Sequence, residues 1–252
     1  MIQIQKAANR RILVMGHRGA RGLAPENTIA SFETARKIGV DFVELDVHVS
    51  KDAHLIVIHD ATVGRTTDGH GYIKDMNLSE IKALDAGSWF DPRYTREKVP
   101  TLTEVLEWSK GEMPLAIELK GGFEQGVVHR VIDLLWRYDM ANEVILISFN
   151  HRALQHVKAL SPEIRTGILY VARLVDSIAV ARRSVADALH PNWNYVDREL
   201  VRETHAAGLA LSTWTVNEPE DMRTLIEMGV DSIGTDYPDR LVAVAEEMDQ
   251  AG

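Results

Sequence analysis

Ile12-Leu13-Val14-Met15-Gly16-His17-Arg18-Gly19 and, one helical stretch later, Phe42-Val43-Glu44-Leu45-Asp46-Val47 decide how this chain is built. Each is a short aliphatic run bounded by turn residues, which reads as a strand buried on both faces, the condition of parallel sheets. The same kind of run recurs at Leu115 to Leu119, Val144 to Ile147, Thr166 to Tyr170, Ala186 to Leu189, Leu209 to Trp214 and Ser232 to Thr235. Between the runs lie amphipathic stretches with apolar residues three and four apart, such as Leu102, Val105 and Leu106, or Val127, Val131, Leu134 and Leu135. Helix starts are marked where a capping side chain is followed three residues on by glutamate: Asn77 with Glu80, Thr101 with Glu104, Asn217 with Glu220. Eight strands each followed by a helix predict a closed (β/α)8 barrel, because parallel strands need crossover helices and closure leaves no sheet edge. The alternative, an open doubly wound sheet, lacks its usual signatures: no Gly-x-Gly-x-x-Gly follows the first strand and there is no Gly-Lys-Ser/Thr phosphate loop.

The bulk properties fit one domain spanning residues 1–252, since 252 residues with 45% hydrophobic content can bury a full core and barrels of this length form one unit. A net charge of -9 argues against a nucleic-acid partner held by phosphate contacts, so the expected partner is a small molecule. No apolar run approaches the length of a membrane span and residues 1–10 carry no signal-like apolar core, which predicts a soluble cytoplasmic protein without stable membrane association. Zero cysteines exclude disulfides, thiolate nucleophiles and cysteine-bound metal, so any metal is held by oxygen or imidazole. The oligomeric state is not legible.

One stretch breaks the rhythm. Between His59 and Thr101 lie the turn chemistry of Thr67-Asp68-Gly69-His70-Gly71, a short helix near Ser79 to Leu84 and the aromatic pair Trp89 and Phe90. A connection this long is usually functional, and it reads as a cap inserted after the second barrel strand at about residues 60–100.

Glu44 and Asp46 stand two apart in a strand and leave the same face, pointing into the barrel near its C-terminal mouth. Two carboxylates there repel, and a divalent cation, Mg2+ or Ca2+, is the economical way to keep both ionised. Glu118, with Lys120 two residues on, ends another strand. Alone the pair would read as a rim ion pair; beside Glu44 and Asp46 it reads as the third carboxylate of a metal site. His17 and His59 taken singly would be structural histidines, and taken together beside acidic ligands they form an acid and a base. Arg18 offers a planar fork for two phosphoryl oxygens, against the plainer reading of a surface ion pair.

The ordered set His17-Arg18-Gly19, Pro25-Glu26-Asn27-Thr28, Glu44-Leu45-Asp46, His59-Asp60, Arg65-Thr66-Thr67-Asp68-Gly69-His70-Gly71, Glu118-Leu119-Lys120 and Gly234-Thr235-Asp236-Tyr237-Pro238 resembles the glycerophosphodiester phosphodiesterases along nearly the whole chain. The resemblance implies a TIM barrel with an insertion after its second strand. It implies a divalent cation on Glu44, Asp46 and Glu118, His17 and His59 as acid and base, and Arg18 and Lys120 on phosphate and glycerol. Trp214, and with it Phe149, would wall the glycerol pocket or simply pack the rim. The implied reaction is metal-dependent hydrolysis of glycerophosphodiesters, such as glycerophosphocholine and glycerophosphoethanolamine, to glycerol 3-phosphate and an alcohol. Either water or the glycerol 2-hydroxyl can attack phosphorus. The alternative, a lysophospholipase D or cyclising phospholipase acting on lipids, would need an exposed apolar rim.

Overall fold

The computed structural model describes residues 12–120 and 126–250. In chain order its strands are β1 (Leu13–Gly16), β2 (Phe42–Val49), β3 (Leu55–Val57), β4 (Leu115–Leu119), β5 (Val144–Ser148), β6 (Arg165–Tyr170), β7 (Ala188–Pro191), β8 (Ala210–Thr213) and β9 (Ser232–Thr235). All except β3 are parallel and close into an eight-stranded barrel in which β1 pairs with β9 on one side and with β2 on the other. Each barrel strand leads to a helix on the outside: α1 (Ile29–Ile38), α3 (Leu102–Ser109), α4 (Val127–Tyr138), α5 (His151–Leu160), α6 (Ser177–Ser184), α7 (Arg198–Ala206), α8 (Pro219–Met228) and α9 (Pro238–Gln250), with α2 (Leu78–Ala83) lying in the connection before α3. The eight predicted runs are the eight barrel strands. Among the described residues, no helix is long and apolar enough to cross a membrane.

Alternation along β2 shows how the barrel is filled. Val43, Leu45 and Val47 join the large core between strands and helices, while Phe42 joins the inner cluster with Met15, Ala116, Ile145, Ile147, Leu169 and Ala188. Glu44 and Asp46 share the inward parity of Phe42, so the apolar plug ends where the polar mouth begins.

Capped helix starts are set locally, with one exception among those expected from the sequence. Thr28 Oγ1 accepts from Ser31 N at 3.2 Å to open α1, and Thr101 and Glu104 form the expected capping box of α3. Asn77 and Glu80 do the same for α2. The exception is Asn217: α8 begins behind Glu218, and the Asn217 side chain instead donates to Asp236 Oδ2 at 3.0 Å and accepts from Asp236 N at 3.0 Å.

The apolar run before His59 is no barrel strand. β3 folds back antiparallel on β2, Val57 facing Val47, and Ile58 N donates to Asp46 O at 3.0 Å. This return brings His59 beside the carboxylates after a very short excursion, whereas a parallel strand would need a full crossover. Val63, Ile73, Ile81, Ala86 and Val99 of the segment from His59 to Pro100 form a small separate core with Ile56 and Ile58 from the end of the return strand. This segment is tied to the one after β1 by Glu97 Oε1, which accepts from Ala30 N at 3.2 Å, and by Arg65 on Glu26.

Candidate active site

The turn after β1 starts the site. Arg18 has φ 51° and Gly19 φ 86°, both left-handed, and a Cβ on Gly19 would fall 2.4 Å from Ser31 Oγ. Left-handed backbone at an arginine costs about 1–2 kcal/mol, and here it turns Arg18 N toward Glu44 Oε2 at 2.9 Å. The mouth holds a pocket of about 180 Å3. His17, His59, Arg18, Lys120, Glu44, Glu118, Phe149 and Trp214, all singled out from the sequence, line it. Asp46 does not; it lies directly beneath, with Lys120 Nζ 3.1 Å from its Oδ1 and Arg18 Nε 3.4 Å from its Oδ2.

Glu44, Asp46 and Glu118 are buried and present oxygens that all lie within 4.8 Å of one another; among the described residues this is the one cluster able to offer a metal three side chains. Burial first, then the charge of Asp46, pushes Glu44 well above the ordinary carboxyl value and lifts Glu118 to about 7. Burial opposes ionisation of Asp46 as well, but Lys120 and Arg18 outweigh it and hold this carboxyl far down. Asp46 Oδ1 is close to Lys120 yet receives no aligned hydrogen bond. Three crowded carboxylates with too few cations and an oxygen without a donor fit a hard divalent ion that binds through oxygen.

The two histidines are held alike. His17 Nδ1 lies 2.6 Å from Asp236 Oδ1, and His59 Nδ1 lies 2.6 Å from Asp60 Oδ1. Both aspartates are held ionised well below their usual range despite some burial, Asp236 at about 2. Each therefore accepts a hydrogen bond from Nδ1–H, which leaves Nε2 to face the pocket chemistry proposed below. His17 Nε2 is 4.0 Å from Glu44 Oε2. Burial is the largest influence on both imidazoles and lowers their pKa values, against the pull of Asp236 on His17 and of Asp46 and Asp60 on His59. The backbone of His59 is fixed too, its carbonyl accepting from His48 Nε2 at 2.9 Å.

Glu26 and Asn27 are residues whose part in the site was not read from the sequence. Buried Glu26 receives Arg18 Nη1 at 2.7 Å, Arg21 Nε at 2.9 Å and both Arg65 Nη atoms at 2.8 and 2.9 Å. It thus orients Arg18 and anchors the segment after β3 to the mouth. Asn27 Nδ2 donates to Asp46 Oδ2 at 2.8 Å. Both belong to Pro25-Glu26-Asn27-Thr28, where a carboxamide and a carboxylate in a turn before a helix hinted at more than capping.

The opposite wall is different. Phe149, exposed at 47%, meets Trp214 edge to face at 5.6 Å and 89°, and Trp214 Nε1 donates to His190 O at 2.9 Å. Met15, Ile147 and Leu169 form the floor. His190 lines the same wall, is 2% exposed, and neither ring nitrogen has a hydrogen-bond partner. An unpaired buried polar group costs on the order of 1–3 kcal/mol.

Residues 17–240 match the model of the glycerophosphoryl diester phosphodiesterase family. A glycerophosphodiester phosphodiesterase of Caldanaerobacter subterraneus subsp. tengcongensis is 43% identical over 91% of this chain and 96% of its own length, and one of Bacillus subtilis is 39% identical over 91% and 85%. A phosphodiesterase of Oleispira antarctica, solved in complex with the product sn-glycerol-3-phosphate, superposes with a TM-score of 0.88 at 34% identity, covering 93% of this chain and 96% of its own. Barrel and mouth thus define a phosphoric diester hydrolase. Within that class, the chain belongs to the glycerophosphoryl diester phosphodiesterase family.

Proposed function

We propose that this chain hydrolyses glycerophosphodiesters, such as glycerophosphocholine and glycerophosphoethanolamine, to glycerol 3-phosphate and the free alcohol. The observation that carries this reading is a cluster of three crowded carboxylates, two of them lining the pocket that His17 and His59 also line, with each histidine oriented by its own aspartate. Glu44, Asp46 and Glu118 would hold a divalent cation, Mg2+ or Ca2+, which when bound neutralises charge on the phosphoryl group. Lys120 and the free edge of Arg18 attract the phosphate oxygens, Arg18 being aimed by Glu26. One histidine Nε2 takes the proton of the attacking hydroxyl and the other, protonated, gives one to the leaving alcohol oxygen. The attacking hydroxyl is that of water or of the glycerol C2; the second route forms a cyclic phosphate that water then opens. The segment from residue 60 to residue 100 covers the departing alcohol.

The test is glycerol 3-phosphate release from a panel of glycerophosphodiesters with and without chelator. Rapid release that EDTA stops and added Mg2+ or Ca2+ restores is the expected result; undiminished release after verified metal removal would refute the metal site. A second reading, lysophospholipase D activity, is favoured by the exposure of Phe149, Val171, Val175 and Tyr195 in the segments following β5, β6 and β7 at the mouth. Including lysophosphatidylcholine in the panel separates the two: on the first reading it is hydrolysed far more slowly than glycerophosphocholine.

A further inference from the structure

The pocket is chemically divided. Its charged side comes from the ends of β1, β2 and β4 and from His59, and its other side from β5 to β8. A phosphate drawn to Lys120 and Arg18 leaves the rest of the substrate over Ile147, Leu169 and Trp214. Among the described residues that line that side of the pocket, one side chain has hydrogen-bonding capacity to spare. Trp214 Nε1 is committed to a carbonyl, and Ser148 Oγ to Leu119 O. His190 keeps both ring nitrogens unpaired. The barrel also makes room for the ring: a Cβ at Gly167 would sit 2.5 Å from His190 Cδ2 and 2.6 Å from its Nε2, so the neighbouring strand must carry glycine there.

Resting on the function proposed above, we infer that His190 is the specificity-determining residue for the glycerol half of the substrate, its ring bonding the terminal (C1) hydroxyl. A neutral imidazole suits a hydroxyl because it offers a lone pair on one nitrogen and an N–H on the other, and a hydroxyl can donate or accept. Burial, with no charged neighbour, drives His190 down to about 4, so the ring stays neutral across the working range. A site built to bond a hydroxyl rejects the analogue lacking it, since its buried partner is then left without one. The apolar surroundings make that rejection strong.

The decisive comparison uses a glycerophosphodiester and its 1-deoxy analogue, a propane-1,2-diol ester that keeps the 2-hydroxyl and the phosphodiester unchanged. The wild type is expected to favour the glycerol ester in kcat/KM by on the order of 10²-fold or more. His190→Phe should lose about that factor on the glycerol ester, change less than about threefold on the 1-deoxy ester, and so abolish the discrimination. His190→Gln, which restores a donor and an acceptor, should recover part of it. A His190→Phe protein that still discriminates like the wild type, or that loses equally on both esters, would overturn the inference. Should His190→Phe fail to fold, the wild-type ring is read directly: its 15N signals, assigned with His190→Gln, should shift with glycerol 3-phosphate and not with the 1-deoxy phosphate, and equal responses refute the contact. A wild type that hydrolyses neither ester would remove the hydrolytic reading alone, because calorimetric competition between the same two monophosphates still decides whether His190 reads the hydroxyl.

Discussion

The two sides of the barrel mouth solve opposite problems. Where β1, β2 and β4 end, almost every polar atom is tethered: histidines to aspartates, arginines to Glu26, Asp46 to Asn27. Where β5 to β8 end, the residues lining the pocket are aromatic and aliphatic apart from His190, whose ring is left unpaired. On the proposed function, the tethered side would hold the reacting groups at fixed separations, which phosphoryl transfer needs because positioning and charge supply most of its acceleration. The apolar side supplies shape and a dry surface, and it is suited to choosing the substrate. Variants on the first side should therefore act on kcat, and variants on the second on KM and selectivity.

The largest effect tests the carboxylates. Glu44→Gln and Asp46→Asn should each lower kcat/KM by about 10³-fold or more, as expected if a cation is lost from the phosphoryl group. Their stabilities should diverge. Glu44 is pushed toward its neutral form, so glutamine leaves the Tm of metal-free protein unchanged or higher. Asp46 is held ionised by Lys120 and Arg18, so asparagine strips two buried cations of a partner and should lower the Tm by roughly 5 °C. Equal melting curves for the two variants would contradict this account of the pocket's charge.

Next come the histidines and their supports. His17→Ala and His59→Ala should each cost on the order of 10² to 10⁴ in rate, and the wild-type kcat/KM should follow a bell-shaped pH profile. Asp236→Asn and Asp60→Asn should cost about 10- to 100-fold, with a displaced limb of the bell, since they orient the rings without touching substrate. An unshifted profile in both would show that the tethers only hold the fold.

The same side sets how stability follows pH. Glu118 in metal-free protein binds its proton up to about 7, against 4.5 when unfolded, so between those values the folded state carries more protons than the unfolded one. Stability contributed by this group is then greatest at low pH and falls as pH rises from 4.5 through 7. Added Mg2+ or Ca2+ should raise the Tm more at pH 8 than at pH 5, and thermal melts at the two values check it. The smallest effect belongs to the apolar wall: Phe149→Leu should raise KM by about two- to fivefold with kcat and cation affinity retained.

How much of this was legible beforehand depends on the range of the forces involved. The eight barrel strands could be read because strands buried on both faces must be continuously apolar, and the caps of α2 and α3 because a capping box closes within four residues. The inward face of Glu44 and Asp46 follows from strand alternation alone, so their meeting was visible in the spacing. What escaped involves partners far along the chain. His17 is oriented by an aspartate 219 residues away, and Asn217, which carries every mark of a helix cap, is taken by that same aspartate instead. Nothing in the run before His59 distinguishes an antiparallel return from another barrel strand, since both are short and apolar. His190 is the clearest case. The sequence fixes only that a histidine precedes a proline near a strand end; that its two nitrogens are buried without partners beside a glycine of the next strand is a property of barrel closure, where neighbours are set by register across strands rather than by distance along the chain.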